Sequence, residues 1–243
     1  MRIIKLSAID STNSYLKQLS ANESLEDATV VVADYQTNGR GQMGTVWASE
    51  ASKNLMFSVL KDVSWLDIDR SFYISMATSL AIVRTLDRFL IPKLRIKWPN
   101  DILSEDMKIC GVLIENVIKQ NQLVETIIGI GLNVNQTNFV GLPKASSLHL
   151  ISGTLFNLDE VLRAIVADLN HYFKLLELGR FQEVKAAYEK VLFRKDKPST
   201  FKDVEGFMFS GFIKSVTHSG NLQILLEDEV LKEYDLKQIQ LLY

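Results

Sequence analysis

The residues from Tyr35 to Trp47 form the stretch of this sequence best suited to chemistry. Three glycines, Gly39, Gly41 and Gly44, allow the backbone to turn with positive φ or to approach a ligand closely. Arg40 lies between them and is the only formal charge in the stretch. A permanently charged guanidinium on a glycine loop, with no acid beside it in sequence, suits a carboxylate or phosphate ligand. A lone Gly-x-Gly is more often a mobile surface turn, and it is the motifs further along the chain that favour a binding site.

Familiar phosphate-binding loops share this glycine spacing, and the residues that follow exclude them. The dinucleotide fingerprint needs a helix to begin at the loop, whereas Thr45–Ser49 shows no helical apolar spacing. The kinase glycine loop also fits, with Val46 in place, but no Val-Ala-Ile-Lys, His-Arg-Asp or Asp-Phe-Gly follows. Thr45 stands where the Walker A lysine would be. The loop therefore belongs to another kind of site.

Four other polar clusters accompany this loop along the chain. Ser11–Asn13 opens a predicted helix, where such residues ordinarily act as caps. Lys97–Asp101 follows a short alternating strand and contains the proline that ends it. Lys108 and Gly111 lie on the next apolar run, and Gly129–Asn135 ends a further one with amide side chains. Polar side chains beside glycines at strand ends are typical of binding sites, although ordinary turns carry them too.

Composition limits the class of protein. At 243 residues the chain allows one large domain, or one with a small appendage, at roughly 100–200 residues per domain. The net charge of −2 gives no footprint for nucleic acid, so any anion site must be local. Cys110 is the only cysteine, which excludes an internal disulfide and fits a reducing compartment; we take it as a small core residue. The histidines, His149, His171 and His218, show no metal or triad spacing, so no metal site is predicted.

The sequence contains neither a secretory signal nor an apolar run long enough to span a membrane. The first residues turn polar too soon for a secretory signal. No apolar run approaches the ~18 residues needed to span a bilayer. We therefore expect a cytoplasmic protein without a membrane partner.

Apolar periodicity places the polar clusters on alternating strands and helices. Ile3–Leu6 and Asn54–Leu60 are predicted strands, and Asp69–Leu90 is a strong helix with one apolar face. Ile109–Val117 and Leu123–Ile130 form a predicted hairpin. The clusters therefore lie mainly at the ends of these elements.

The last third of the chain changes from a helical period to a period of two. Helices are predicted from Asn157 to Gly179 and from Phe181 to Phe193. A polar hinge at Arg194–Pro198 then breaks the helical pattern. From Phe201 to Tyr243 four or five short strands suggest a small barrel.

Taken in order, these clusters resemble the motifs of the biotin–protein ligases, the enzymes that attach biotin to a lysine of carboxylase carrier domains. The matching residues are Ser11–Asn13, Gln36, Gly39–Gly41, Gly44–Trp47, Lys97–Asp101, Lys108, Gly111, Gly129, Gly131 and Asn133. Each motif alone is weak, but the whole series in order at matching spacing is specific. The resemblance spans nearly the whole chain.

The resemblance implies an α+β fold with two parts. Residues 1–194 would form a class II aminoacyl-tRNA synthetase-like catalytic domain, a mixed sheet with flanking helices. Residues 195–243 would form a small SH3-like β-barrel. Because the first motif begins at Ser11, we expect the stand-alone form, without the DNA-binding domain of ligases that double as repressors.

The implied reaction has two steps and uses ATP and biotin as substrates, with Mg²⁺. Biotin's carboxylate attacks the α-phosphate of ATP to give biotinyl-adenylate, and a lysine of the biotin carboxyl carrier protein then takes the acyl group. The two anions repel each other, so cations must bring them together. Arg40 and Lys108 are implied for this role, with Lys97 on phosphate and Asp101 orienting or deprotonating the amine. A structural ion pair is the alternative for Lys97 and Asp101.

The binding residues follow from the same resemblance. Biotin binding is assigned to Ser11, Thr12, Asn13, Gln36, Gly39, Arg40, Gly41, Gln42, Lys108 and Gly111. ATP binding is assigned to Arg40, Trp47, Asn100, Lys108 and Asn133. The polar groups suit biotin's ureido head. Stacking on adenine is one interpretation of Trp47, and core packing is as plausible.

The chain also departs from its better-known relatives. Gln42, Met43 and Thr45 stand where those relatives carry more arginine, and the tail from Gln238 to Tyr243 lacks an arginine that some direct to the nucleotide. A lipoate–protein ligase and a non-catalytic biotin-binding module are the alternative functions. The resemblance implies no nucleic-acid partner and leaves a homodimer open.

Overall fold

A seven-stranded mixed sheet forms the centre of the molecule, which the computed structural model describes over residues 2–243. The strands run in the spatial order β1-β2-β3-β7-β6-β5-β4. Only β1 and β2 are parallel, since α1 crosses between them, and every other neighbouring pair is antiparallel. The strands are β1 Ile3–Leu6, β2 Val30–Ala33, β3 Leu55–Asp62, β4 Leu94–Lys97, β5 Asp101–Ser104, β6 Met107–Lys119 and β7 Gln122–Leu132.

Five α-helices accompany the sheet within residues 2–243, and two of them start at predicted caps. They are α1 Thr12–Asn22, α2 Phe72–Arg88, α3 Leu148–Ser152, α4 Leu158–Glu177 and α5 Phe181–Lys190. Ser11 caps α1 by accepting from the amide of Ser14, and Asn157 caps α4 by accepting from that of Glu160. Gly179 follows α4 with φ of 71°, as expected for a helix terminator.

The two faces of the sheet have different coverings. The α2 and α4 helices pack together over one face, where buried side chains such as Phe57, Ile130 and Phe173 make up the main core. The α1 helix covers only part of the other face, burying Leu16 against the strands. The uncovered part of that second face is therefore free to carry polar groups.

One residue of the predicted apolar helix face lies elsewhere. Leu90 is 84% exposed, because α2 ends at Arg88 and Leu90 adopts φ of 59° in the turn that follows. The helix also starts at Phe72, since Ile68–Arg70 forms a separate 3₁₀ turn. The interior of the predicted helix is confirmed.

A second, five-stranded antiparallel sheet follows α5. Its strands are β8 Pro198–Asp203, β9 Met208–Val216, β10 Leu222–Leu226, β11 Leu231–Tyr234 and β12 Ile239–Leu242, in the spatial order β11-β10-β9-β8-β12. The strand count agrees with the prediction, but the ladder does not close into the expected barrel. The last strand, β12, pairs with β8 and not with β11, so β11 and β12 are the two edges of the sheet.

The two sheets share one hydrophobic core, and specific groups join the parts of the chain beside them. The indole of Trp98 donates to the carbonyl of Gly220 at 2.8 Å. A side chain at Gly220 would overlap the ring of Phe72, whose Cγ would lie 2.6 Å from its Cβ. Among residues 2–243, no helix has both the length and the apolar character to cross a membrane.

Asp168 on α4 joins the two long helices, and its removal should measurably destabilise the fold. Its carboxylate is 5% exposed and accepts from Thr85 Oγ1 and Arg88 Nη2, each at 2.6 Å. We expect Asp168→Ala to lower the free energy of unfolding by about 2–3 kcal/mol, as hydrogen bonds to a buried charge are lost. Urea denaturation measures this.

The matched control is Asp159→Ala, which removes a carboxylate that pairs with Lys5 while half exposed to solvent. Exposed pairs contribute about 0–1 kcal/mol, so this variant should unfold near the wild-type midpoint. Equal losses in the two variants would show that Asp168 does not join the helices energetically.

Candidate active site

A cleft of about 670 Å³ lies on the partly covered face of the central sheet. Its floor is formed by β6 and β7, and the glycine loop and the start of α1 form its sides. The turn after β4 contributes a further side, and β8 and β12 of the second sheet complete the wall. The predicted polar clusters, far apart in sequence, therefore meet in one cavity.

Glycines form the floor of the cleft where the central strands cross it. Gly111 on β6 pairs directly with Gly131 on β7, so neither strand projects a side chain there. The indole of Trp47 fills the space above both: a Cβ at Gly131 would lie 2.7 Å from its Cζ2 and one at Gly111 3.0 Å from its Cζ3. Trp47 therefore packs on the floor of the cleft, and its buried Nε1 has no hydrogen-bond partner among the described residues.

A third floor glycine makes room for Asn13. A Cβ at Gly129 would lie 2.9 Å from Asn13 Cγ, which is closer than carbon atoms approach without displacement. The Asn13 amide nitrogen donates to the carbonyl of Leu113 at 3.3 Å. The start of α1 therefore rests on the sheet at the position where β7 has no side chain.

Hydrogen bonds connect the polar residues at this end of the cleft. Gln36 Oε1 accepts from the amide of Thr12 at 2.8 Å and from its hydroxyl at 3.1 Å. Ser58 Oγ on β3 donates to Asn13 Oδ1 at 2.5 Å and bonds with Thr12 Oγ1 at 2.8 Å. Since Gln36 uses its oxygen on Thr12, its NH₂ group is what it offers to a ligand. Ser11 lines the same end and caps α1.

Arg40 has an acidic partner, although its neighbours in sequence suggested that it had none. Its Nη2 lies 2.8 Å from Glu115 Oε2, an acid 75 residues away on β6. The side chain lines the cleft and is 40% exposed. The expectation of an unneutralised cation was wrong, because sheet pairing carries Glu115 to the loop.

Lys108 also has an acid partner that its immediate neighbours did not reveal. Its Nζ lies 2.6 Å from Asp101 Oδ1, and Lys97 Nζ lies 3.5 Å from Asp101 Oδ2. One carboxylate thus holds two lysines at the cleft edge. The ring of Tyr243 lies 5.0 Å from Lys97 Nζ, and burial, with the Asp101 carboxylate, raises the pKa of its hydroxyl.

The structure places two of the assigned residues outside the cleft lining. Asn133 is 4% exposed and donates to the carbonyl of Ser146 at 3.0 Å, so its amide is engaged in the interior. Gly39 packs against the other end of the loop, where any side chain would meet the carbonyl of Trp47. Asn100 does line the cleft, and its amide donates to the carbonyl of Val112 at 2.6 Å.

The loop residues that differ from the better-known relatives border the cavity. Gln42, Met43 and Thr45 all line the cleft. The loop makes a 3₁₀ turn at Gln42–Gly44 and a bridge between Arg40 and Val46, and no α-helix begins at its end. This agrees with the exclusion of the dinucleotide fingerprint.

Cys110 is a core residue, as predicted. It is fully buried on β6, and burial raises the pKa of its thiol, so it stays protonated and unreactive. Over residues 2–243, no group of three or more His, Cys, Asp or Glu side chains is placed to hold a metal ion.

Two residues of this site were missed by the sequence reasoning, Ser58 and Glu115. Ser58 is polar within the apolar strand β3, which is a signal that could have been followed. Glu115 follows Gly111 and Leu113 at a period of two, so strand alternation places all three on the cleft face. Both residues contact Asn13.

Comparison with known proteins agrees with this geometry. Residues 6–133 match the biotin/lipoate A/B protein ligase family. The bifunctional ligase/repressor BirA of Bacillus subtilis is 34% identical over 128 residues, which cover 53% of this chain and 39% of that protein. The biotin–[acetyl-CoA-carboxylase] ligase of Mycobacterium tuberculosis is 33% identical over 141 residues, covering 57% and 51%. This chain thus spans about half or less of these curated relatives.

Solved structures extend the similarity to the whole chain. The biotin protein ligase from Aquifex aeolicus in complex with biotin and ATP superposes with a TM-score of 0.81 at 26% identity, covering 99% of this chain and 98% of that one. The predicted α+β fold, with its class II aminoacyl-tRNA synthetase-like mixed sheet, is confirmed. With a family match over residues 6–133, more than half of its length, this chain belongs to the biotin/lipoate A/B protein ligase family.

Proposed function

We propose that this protein is an ATP-dependent ligase that activates biotin as biotinyl-5′-adenylate and transfers it to a lysine of a biotin carboxyl carrier protein. One observation carries the proposal: a polar network and two cations, Arg40 and Lys108, share one cleft of about 670 Å³. The Aquifex aeolicus ligase of similar fold, solved with biotin and ATP, supports it.

Biotin's ureido head fits the part of the cleft beside the start of α1. Ser11, Thr12, Asn13 and Gln36 line that part, and the Gln36 NH₂ group can donate to the ureido oxygen. The floor glycines seat the Trp47 indole, which offers an apolar wall to the bicyclic ring. The carboxylate then points towards Arg40, with Gly41 and Gln42 at the loop.

ATP would occupy the wider part of the cleft, beside the turn after β4. Asn100 and Lys97 line that part, and the buried Trp47 Nε1 supplies a donor for a ligand acceptor. Asn133 is left out of the nucleotide site, because its amide already bonds to Ser146. We propose that residues 1–194 carry the reaction and that residues 195–243 close the cleft from the second sheet.

The chemistry requires two anions to meet. A biotin carboxylate oxygen attacks the α-phosphorus of ATP, and the bond to the β-phosphate oxygen breaks to release pyrophosphate. Arg40 and Lys108 lower the repulsion by pairing with charge that develops on the phosphate oxygens. The acceptor amine then attacks the acyl carbonyl, AMP leaves with the bonding electrons, and the proton lost from the nitrogen passes to solvent.

Asp101 has a positioning role in this scheme. Its two oxygens hold Lys108 at 2.6 Å and Lys97 at 3.5 Å, which aligns both lysines along the cleft edge. The same carboxylate can accept a hydrogen bond from the incoming amine when a lysine moves to phosphate. Asp101 can therefore act both as the ion-pair partner of the two lysines and as a hydrogen-bond acceptor for the amine.

Mg²⁺ enters the proposal as a companion of the ATP phosphates. Mg²⁺ keeps most of its waters and binds through phosphate oxygens with one or two carboxylates. The two amides assigned to ATP binding do not fit the ion, since Asn133 is buried and Asn100 bonds to a backbone carbonyl.

The activity test is pyrophosphate release from ATP with biotin or lipoate as the acid. We expect release with biotin, with lipoate at least about tenfold slower, since buried polar groups that lack their partner are costly. Labelling of a carrier domain on its lysine should follow only with biotin. Faster release with lipoate would make the chain a lipoate–protein ligase, and biotin binding without release a non-catalytic module.

Lys108→Ala should cripple adenylate formation while leaving the fold intact. Removing one stabiliser of transition-state charge typically slows the chemical step about 10²–10³-fold. The measurement is pyrophosphate release in the presence of biotin. Lys93→Ala is the control, because Lys93 pairs with Glu105 on an exposed surface away from the cleft lining. Near-wild-type release by Lys108→Ala would remove Lys108 from the mechanism.

Gln42→Arg should slow the escape of biotinyl-adenylate from the cleft. A neutral hydrogen bond contributes ~0.5–1.5 kcal/mol and one to a charged group ~1.5–3. The gain of about 1 kcal/mol predicts roughly fivefold longer retention. A chase of preformed radiolabelled adenylate measures the escape rate in wild type and variant. Equal rates would mean that Gln42 does not contact the intermediate.

A further inference from the structure

Glu115 connects the two ends of the proposed biotin site through a single oxygen atom. Its Oε2 accepts from Arg40 Nη2 at 2.8 Å and from Asn13 Nδ2 at 2.9 Å. Lys17 Nζ lies 4.0 Å from the other oxygen, Oε1. The side chain is 21% exposed, so these contacts are partly shielded from solvent.

The two partners of Glu115 differ in how firmly the fold holds them. Asn13 is buried on α1 and bonds to two strands of the sheet. Arg40 is exposed on the glycine loop, where its backbone bridges to Val46, and no other side-chain hydrogen bond of Arg40 occurs within residues 2–243. Glu115 itself lies on β6, opposite Ile127 of β7. A strand of the central sheet therefore holds the exposed arginine side chain by its one side-chain hydrogen bond.

The pairing leaves Arg40 able to bind a second anion. A guanidinium has five N–H donors in a fixed fork, and one nitrogen faces Glu115. The other donors are free to meet a ligand carboxylate from the cavity side. The Glu115 carboxylate thus aligns the guanidinium of Arg40 for a ligand and lowers the conformational entropy that Arg40 loses on binding.

We propose that Glu115 is the positioning residue of this site, holding Arg40 for the ligand carboxylate and tying it to the network that receives the ligand's head. From Gln36 the hydrogen bonds pass through Thr12, Ser58 and Asn13 to Glu115. Correct seating of the head end therefore supports the arginine at the carboxylate end. The inference rests on the proposed function, because it takes biotin as the ligand.

The test is calorimetric binding of biotin to wild type and to Glu115→Gln. The amide keeps the length of the side chain but replaces charged hydrogen bonds by neutral ones, which are roughly half as strong. We expect Kd for biotin to rise about tenfold. An unchanged Kd overturns the inference, and a lower Kd does too, since it would mean that Glu115 competes with the ligand for Arg40.

A double-mutant cycle separates positioning from a structural effect. If Glu115 acts through Arg40, Glu115→Gln in the Arg40→Ala background should change Kd by less than about twofold. A full tenfold loss in that background would contradict the inference. Thermal unfolding of every variant identifies any that fail to fold, and Asn13→Asp, which repels Glu115, provides a second perturbation of the same contact and should also raise Kd.

Glu177→Gln is the matched control, because Glu177 pairs with Lys174 at 2.9 Å on the exposed side of α4. Its Kd for biotin should equal that of wild type. Should wild type itself not bind biotin, the proposed function fails; should wild type bind and Glu115→Gln bind equally well, only the role of Glu115 fails. The two failures are therefore distinguishable.

Discussion

The site depends on the absence of side chains at the centre of a β-sheet. Gly111, Gly129 and Gly131 lie on adjacent strands, and each lacks the Cβ that would collide with Trp47 or Asn13. Glycine within a strand weakens it, since it packs no side chain and loses more entropy on folding. Here the opposite face compensates: Phe57 and Ile130 are buried there among the packed helices. A recess on one face thus requires a dense core on the other.

Charge in the cleft is balanced within the protein before any ligand is considered. Arg40 faces Glu115, and Lys97 and Lys108 share Asp101. An uncompensated cluster of cations would repel itself and destabilise the fold. The acids hold the cations in place at little cost, because the pairs stay partly hydrated. The same arrangement explains how a chain with a net charge of −2 can present a local site for anions.

Much of this architecture was predictable from the sequence, because it follows from local patterns. The caps at Ser11 and Asn157, the long hairpin and the α2 helix all depend on residues that are neighbours along the chain. The glycine loop and Lys97–Asp101 were also correctly brought to one cleft, through resemblance to a family. Helix ends were less accurate, since a 3₁₀ turn precedes α2.

The rest could not be predicted, because it depends on pairing between distant strands. Local sequence cannot show that Glu115 meets a loop 75 residues earlier, or that Asn133 turns to Ser146 in the interior. Whether the second sheet closes into a barrel likewise depends on the strand with which β12 pairs, which local sequence does not show. Such contacts depend on the register between paired strands. Alternation of apolar and polar residues does not fix that register when neighbouring strands have the same alternation.

The second sheet makes the cleft a composite of two separate ladders. The floor strands belong to the central sheet, whereas β8 and β12 of the second sheet supply part of the wall. The two sheets are joined by a shared hydrophobic core, which includes Val216 and Ile224, and by the hydrogen bond from Trp98 to Gly220. Because packed cores transmit strain, the width of the cleft is set by this packing, and a substitution at Val216 or Ile224 can alter the cleft without changing any residue that lines it.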